Sequence, residues 1–186
     1  MGISAVIIGG SAGSFQVVTQ IISSLRKDFN LPLFLCLHRL KHIRSGFVEA
    51  LSIKSHLPIY EPDDKEAIKN GIIYLTPANY HMLIELGNRI SLSTEEPVNH
   101  SRPSIDLSFI TAAYNYKSKL VGIILSGANK DGAAGLKRVK EMGGITIVQD
   151  PNESQVQTMP TACLQIMQVD HIFTTAKIIN FLNNIK

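Results

Sequence analysis

Short apolar segments alternate with stretches of helical periodicity along this chain, and no other feature restricts the fold as strongly. The apolar segments are typical of buried strands and span residues 4–9, 33–37, 72–76, 120–126, 145–149 and 171–174. Helical spacing of apolar residues follows most of them, at residues 15–25, 105–116, 132–142 and 176–184. Strands that alternate with helices favour right-handed βαβ units. The predicted fold class is therefore α/β, with a doubly wound, mainly parallel sheet and helices on both of its faces.

Residues 80–92 interrupt this alternation. Apolar stretches at 82–86 and 90–92 flank Gly87 and Asn88, a pair suited to a two-residue turn. We predict a small antiparallel hairpin here, at the edge of the sheet. The 186 residues are 45% hydrophobic and contain no repeat, charge block or low-complexity linker, so a single domain spanning residues 1–186 is expected.

Cysteine usage and the N-terminal residues indicate the compartment. Cys36 and Cys163 stand alone in apolar segments without a C-x-x-C pair, so neither a disulfide nor a cysteine-ligated metal is expected. The chain runs into its first apolar segment without a cationic leader, which favours a cytoplasmic location and no membrane insertion. The net charge of +3 comes from scattered basic residues. A net charge of this size neither requires nor excludes nucleic-acid binding. We expect no nucleic-acid partner.

The first predicted strand ends in the residues Gly-Gly-Ser-Ala-Gly-Ser at 9–14, which contain G-x-S-x-G and open onto a helix. A tight turn of this kind exposes the hydroxyl of Ser11 and presents backbone N–H groups to a developing oxyanion. A turn at a helix N-terminus also suits a phosphate, so the spacing alone leaves a nucleotide site open. The absence of G-x-G-x-x-G and of Gly-Lys-Ser or Gly-Lys-Thr makes that alternative weaker.

Two further polar residues follow apolar strands, where ligands bind in open α/β sheets. His38 closes the second strand, and Asp131 lies where the segment 120–126 turns into a helix. Alone, His38 would be interpreted as a structural residue and Asp131 as a helix cap. Together with Ser11 they suit a catalytic triad, because a serine needs a base and an imidazole needs a carboxylate to fix its tautomer. Asp150 also follows a strand and is the rival candidate for the acid, although Asp150-Pro151 is typical of a turn.

Several separated sequence blocks resemble the catalytic domain of the CheB family of chemotaxis protein-glutamate methylesterases, over essentially the whole chain. The blocks are residues 8–13, His38, 75–82, 102–106, 126–135, 143–144, 149–150 and 159–160.

This resemblance implies hydrolysis of methyl esters on receptor glutamates, with release of methanol and often with deamidation of particular glutamines. It implies Ser11 as nucleophile, His38 as general base, Asp131 as the residue that orients it, and the backbone N–H of Ala128 as an oxyanion donor. It implies no metal and no organic cofactor. The implied partners are methyl-accepting chemotaxis receptors or similar signalling proteins. A regulatory receiver protein in trans is also implied, since family members commonly carry a receiver domain before the catalytic domain.

The chain departs from the family pattern near these residues. The family's Ser-Thr-Gly-Gly reads Ser-Ala-Gly-Ser at 11–14, and its Gly-Met-Gly reads Gly-Ala-Asn at 127–129, where Asn129 replaces a glycine suited to positive φ. The Met-Pro that commonly follows the histidine is Arg39-Leu40. We expect these changes to alter rate or substrate more than reaction type. They leave open a catalytically impaired regulatory or binding module as an alternative function, with a nucleotide-binding protein less favoured.

The residue after His38 begins a basic cluster, formed by Arg39, Lys41, His42 and Arg44. This cluster suits steering of an acidic receptor segment, although a solvated loop is the simpler interpretation. On the steering hypothesis, Arg39→Glu slows turnover of a protein substrate but not of a small ester. Three more residues of the matched blocks receive no catalytic role: His81, His100 and Arg102.

Overall fold

The structure is a computed structural model that describes residues 2–39 and 46–185. Its central feature is a seven-stranded sheet. All its strand pairs are parallel, and their order is β3-β4-β2-β1-β7-β8-β9. The strands are β1 (Ala5–Gly10), β2 (Leu33–Leu37), β3 (Ile59–Tyr60), β4 (Ile73–Leu75), β7 (Leu120–Ile124), β8 (Ile145–Gln149) and β9 (His171–Phe173). Every residue of β1, β2 and β7 is buried, which explains why these strands are continuous apolar segments rather than alternating ones.

Within residues 2–39 and 46–185, six α-helices surround this sheet and form two apolar layers with it. They are α1 (Ser14–Ser24), α2 (Phe47–Ser52), α3 (Ile105–Tyr116), α4 (Ala133–Glu141), α5 (Thr158–Ile166) and α6 (Thr175–Asn184). Val18 of α1 and Ile178 of α6 lie in the core on one face. Phe109 of α3, Leu136 of α4 and Cys163 of α5 lie in the core on the other. The doubly wound α/β prediction is confirmed.

The predicted hairpin is present as β5 (His81–Glu85) and β6 (Arg89–Ser93). It forms a separate two-stranded sheet instead of extending an edge of the main one. The hairpin packs on α3, where the Ile84 N–H donates to Thr111 Oγ1 at 3.0 Å and Ser108 Oγ donates to the Met82 carbonyl at 2.7 Å. The apolar side chains of the hairpin therefore cover a helix instead of a strand edge.

The order of the strands reverses beside β1. This strand pairs with β2 on one side and β7 on the other, so the chain leaves β1 and β7 toward opposite halves of the sheet. Ligand sites in such folds form at this point, outside the carboxyl ends of the strands. The three segments that carry Ser11, His38 and Asp131 all follow these strands. Among the residues that the structure describes, no helix is both long and apolar enough to cross a membrane.

Helices α3 and α4 meet at Gly135, where a side chain has no room. A Cβ built on Gly135 would lie 2.6 Å from Phe109 Cβ and 3.0 Å from Asp106 Cα. We expect Gly135→Ala to lower the free energy of unfolding by about 1–3 kcal/mol, because overpacking outweighs the better helix propensity of alanine. Urea denaturation would measure this, with Lys137→Ala on the exposed side of the same helix as the control. Unchanged or increased stability of Gly135→Ala would contradict such a close approach.

Candidate active site

Backbone hydrogen bonds bring together the segments that follow β1, β2 and β7. The N–H of His38 donates to the carbonyl of Gly10 at 3.1 Å, and the N–H of Ser11 donates to the carbonyl of Ser126 at 2.9 Å. Ser11 therefore lies between the segment that carries His38 and the loop that leads to Asp131.

The turn after β1 is fixed by its own short contacts. Gly13 has φ 80°, and a Cβ there would lie 2.7 Å from Gln155 Cβ, so glycine is required for both conformation and space. Ser14 is the first residue of α1, and its N–H and Oγ both donate to the carbonyl of Ser11, at 3.0 and 2.7 Å. The hydroxyl of Ser14, absent from the family pattern, thus holds the turn that presents Ser11. Ser11 is half-buried, and its Oγ makes no hydrogen bond with any residue in the described ranges.

His38 and Asp131 form a direct pair. His38 Nε2 lies 2.9 Å from Asp131 Oδ2, and the Asp131 side chain is fully buried. An ionised carboxylate can only accept, so Nε2 of His38 carries the hydrogen and Nδ1 carries the lone pair. Nδ1 is therefore the nitrogen available to take a proton from a nucleophile.

The carboxylate of Asp131 accepts hydrogen bonds from the first turn of α3. The N–H of Ile105 reaches Oδ2 at 2.7 Å, and the N–H of Asp106 reaches Oδ1 at 3.0 Å. The Ser104 hydroxyl donates to Oδ1 at 3.2 Å. The Oγ of Ser104 also accepts from the N–H of Leu107, so Ser104 is the N-cap of α3. Burial raises the pKa of Asp131, but hydrogen bonds from His38 and from the Asp106 and Ile105 N–H groups outweigh it and hold that pKa below its ordinary value. Asp131 is therefore a stable anion beside the imidazole.

Asp106 performs the reciprocal task for α4. Its Oδ1 accepts from the N–H groups of Gly132 and Gly135, at 2.9 and 2.7 Å. Each of the two helices thus receives a carboxylate from the other at its N-terminus, where anions are favoured. Burial and the neighbouring Asp131 raise the pKa of Asp106, although the two glycine N–H groups oppose the shift. This role was not predicted, although Asp106 is an acidic residue in the first turn of α3.

In the loop between β7 and α4, the N–H groups of Ala128, Asn129 and Lys130 have no acceptor among the described residues. The N–H of Gly127 donates to the carbonyl of Val156 at 3.1 Å, whereas Ala128 is exposed. The predicted oxyanion donor is therefore free to bind a ligand. Asn129 does not adopt the positive φ that its replacement of a glycine suggested. Its Oδ1 accepts from the Asp131 N–H at 3.1 Å, and its Nδ2 lies 3.4 Å from His38 Nδ1.

The rival acid, Asp150, is engaged elsewhere. Its Oδ1 accepts from the N–H of Asn152 at 2.9 Å, which is turn chemistry of the kind its Asp-Pro sequence suggested. Of the two carboxylates, Asp131 is the one that contacts His38.

Arg39 contradicts the idea of an exposed basic cluster. Only 2% of its side chain is exposed. Its Nη2 donates to a carboxylate oxygen of Glu61 and to the carbonyl of Thr76 at 2.7 Å, and its guanidinium lies 4.9 Å from the centre of the Phe47 ring. Arg39 thus links the segments that follow β2, β3 and β4. The other members of the cluster lie outside the described residues: Lys41, His42 and Arg44.

The buried position of Arg39 changes what its substitution should do. We expect Arg39→Glu to lower the free energy of unfolding by about 1.5–3 kcal/mol, because it removes the charged donor to Glu61 and Thr76 and places a second carboxylate beside Glu61. We expect Arg39→Met, which restores a family residue, to cost about 1–2 kcal/mol. Urea denaturation would measure both, with the exposed Lys27→Glu as a charge control. If Arg39→Glu unfolded with the same free energy as wild type, the Arg39 side chain would not be buried and paired as described.

The remaining histidines of the matched blocks differ in exposure. His81 is fully buried, and its Nδ1 accepts from the N–H of Ser104 at 3.1 Å, so it supports the start of α3. His100 is exposed and lies with Arg102 beside His38. Within the described ranges, no group of three or more His, Cys, Asp or Glu side chains is arranged to hold a metal ion.

Comparison with known proteins identifies the family of the chain. A family model described as CheB methylesterase matches residues 6–182. The chain belongs to the CheB methylesterase family. The crystal structure of the CheB methylesterase catalytic domain from Thermotoga maritima superposes with a TM-score of 0.92 at 29% sequence identity, covering 98% of both chains.

Relatives in sequence carry matching names. A Leptospira interrogans protein is 40% identical over 178 residues, which is 96% of this chain and 92% of that protein. That protein carries the provisional name protein-glutamate methylesterase/protein-glutamine glutaminase. A Clostridium acetobutylicum protein with the same name, without that qualification, is 33% identical over 90% of this chain and 49% of its own length. These CheB relatives favour an esterase over a nucleotide-binding protein.

Proposed function

We propose that this CheB family member is a serine hydrolase that removes methyl groups from glutamate methyl esters of chemoreceptors or related signalling proteins. The observation that carries the proposal is the 2.9 Å contact between His38 Nε2 and the buried carboxylate of Asp131, because it leaves Nδ1 as a base at the edge where Ser11 lies. The family to which the chain belongs supports the same chemistry.

In the proposed reaction, Nδ1 of His38 takes the proton of Ser11 Oγ as this oxygen attacks the ester carbonyl carbon. The resulting oxyanion accepts hydrogen bonds from the N–H of Ala128 and, at the serine turn, from the N–H of Ala12. The tetrahedral intermediate collapses, and the proton on His38 passes to the departing methoxide, which leaves as methanol. Water gives a proton to the same nitrogen and attacks the acyl-serine carbonyl carbon. That proton then passes to Ser11 Oγ as the acyl–oxygen bond breaks, which regenerates the serine and frees the glutamate carboxyl group. Throughout, Asp131 stabilises the imidazolium form of His38. These steps require neither a metal nor an organic cofactor.

The substitution of Ala12 for the family's threonine is compatible with this proposal, since the donor at that position is the main chain. Ser14 supplies a hydroxyl elsewhere in the turn. The proposal includes a glutaminase activity, which the names of the relatives pair with the esterase. It also includes a cytoplasmic location and control by a receiver protein in trans.

Methanol release from methylated cytoplasmic fragments of chemoreceptors would test the proposal, in parallel with hydrolysis of a neutral activated ester. We expect both substrates to be hydrolysed, and unmethylated fragments with glutamine at the same positions to release ammonia. Hydrolysis of the small ester alone would refute the receptor substrate but keep the esterase. No hydrolysis of either would favour a regulatory binding module.

A further inference from the structure

A polar pocket opens directly beside the proposed base. Its volume is about 190 Å³, and its walls are His38, Arg39, His100, Ser101 and Arg102. Four of these five side chains are basic. The proposed chemistry uses only His38, so the remaining wall is available to recognise another part of a substrate.

Arg102 is held rigidly in this wall by four hydrogen bonds. Its Nε and Nη2 both donate to Oδ1 of Asn79, at 3.1 and 2.9 Å. Its Nη1 donates to the carbonyls of Thr94 and Glu95, at 2.6 and 2.9 Å. A guanidinium has five N–H groups, so one on Nη2 remains for a ligand. The donor is therefore fixed in place before any ligand arrives, which lowers the entropic cost of binding.

The charge of Arg102 is not neutralised. All its acceptors are a side-chain amide or main-chain carbonyls, and no ion pair within the described ranges includes it. The undescribed positions 1, 40–45 and 186 contain no Asp or Glu, so they supply no carboxylate side chain either. Arg39, in contrast, is paired with Glu61. Among the described residues that line the pocket, Arg102 is therefore a fixed positive charge without a carboxylate partner, next to His38.

We propose that this pocket binds a substrate carboxylate, on an acidic residue close to the methylated glutamate. The proposal rests on the esterase function and deepens it, because it assigns Arg102 to substrate selection. A carboxylate suits the site since a charge-assisted bond to a guanidinium is stronger than a neutral one. The Nη2 hydrogen and the positive charge together make acidic segments better substrates than neutral ones of the same shape.

The variant that tests the charge of Arg102 most directly is Asn79→Asp. It keeps the oxygen that accepts from Arg102 but adds a negative charge that neutralises the guanidinium. Asn79 has φ 67°, a conformation that aspartate also tolerates. The matched control is Asn88→Asp, which adds the same charge at a residue with φ 58°. Asn88 lies beside Leu31 and Pro32, at the amino ends of the strands and away from the pocket.

The readout is the ratio of kcat/KM for two peptides that contain γ-methyl glutamate, one with a neighbouring glutamate and one with glutamine there. This ratio cancels any general loss of activity. We expect a preference for the acidic peptide of about tenfold in wild type and in Asn88→Asp, decreasing with salt, and a ratio near one in Asn79→Asp. Arg102→Lys, which keeps a charge but loses the fixed geometry, should retain part of the preference, and Arg102→Gln none.

Equal kcat/KM for the two peptides in wild type would overturn the proposal, as would an undiminished preference in Asn79→Asp. Failure of the esterase itself is recognised separately, as absence of Ser11-dependent hydrolysis of a neutral activated ester. In that case, Kd values of the two peptides for the Ser11→Ala protein, with and without Asn79→Asp, still decide the matter. The proposal would be supported if the Ser11→Ala protein bound the acidic peptide more tightly than the neutral one and Asn79→Asp removed this difference. Equal Kd values for the two peptides would refute it.

Discussion

Replacement of Ser11 by alanine is expected to lower kcat by about a millionfold on a methyl ester substrate and to leave only background hydrolysis. The proposed reaction passes through an acyl-serine, so no other group can substitute for the hydroxyl that attacks the carbonyl carbon. The substitution removes one side-chain oxygen that makes no hydrogen bond within the described ranges, and the fold should not change. Steady-state methanol release and thermal denaturation would measure the two effects. Loss of activity with unchanged stability is the expected combination.

The matched control for this experiment is Ser118→Ala, an exposed serine before β7. Mass spectrometry after rapid quenching gives an independent check, since an activated ester should leave its acyl group on the peptide that contains Ser11. Acylation of a different residue, or substantial activity in Ser11→Ala, would show that another nucleophile performs the reaction.

The fold was predictable from the sequence where burial is complete. β1, β2 and β7 are buried on both faces, so an uninterrupted apolar segment marks each of them. β3 has only two residues and α5 carries Pro160 within its first turn, and neither gave a periodic pattern. The hairpin was recognised from its turn residues, but its packing partner was not, because alternating side chains do not identify the surface they cover.

The candidate site was predictable for a related reason. Ser11, His38 and Asp131 each follow a strand, and neighbouring parallel strands end at the same edge of a sheet. What the sequence did not reveal is which ring nitrogen of His38 faces the acid, since this depends on the side-chain geometry of the pair. The burial of Arg39 was equally hidden, because its partner Glu61 follows a strand of two residues that was itself not predicted.

The exchange of carboxylates between α3 and α4 connects stability to the proposed chemistry. Asp131 is held as an anion by the same helix that carries Asp106, and Asp106 in turn holds the glycines at the start of α4. We therefore expect a change in either carboxylate to alter the position of the other. We infer that the two helices orient His38 together, through Asp131, rather than acting only as cover for the sheet.

Replacement of Asp131 by asparagine tests that inference and is expected to lower kcat by about a thousand- to ten-thousandfold. An amide has one acceptor oxygen where the carboxylate has two, so in either orientation its NH₂ group faces an N–H of Ile105 or Asp106. The negative charge that stabilises the imidazolium is also lost. The substitution should lower stability near neutral pH as well, since a main-chain donor of α3 loses its partner.

The pH dependence of that stability follows from the direction of the pKa shift. The pKa of Asp131 lies below its ordinary value, so its carboxylate stabilises the fold at pH values above that ordinary value, and the effect is lost as the pH falls through the lower folded pKa. The difference in the free energy of unfolding between wild type and Asp131→Asn should therefore decrease below about pH 4. Denaturant titrations at a series of pH values would measure it.

Asp150→Asn is the control that separates the two candidate acids. Its carboxylate binds the N–H of Asn152 in a turn, and we expect the variant to retain wild-type kcat with a small loss of stability. If Asp150→Asn lost activity while Asp131→Asn retained it, the proposed triad would be wrong despite the contact with His38. If both retained it, the carboxylate beside the imidazole would be structural, and His38 would act without an acid to fix its tautomer. Only loss in Asp131→Asn alone agrees with a base at Nδ1 that is oriented through Nε2.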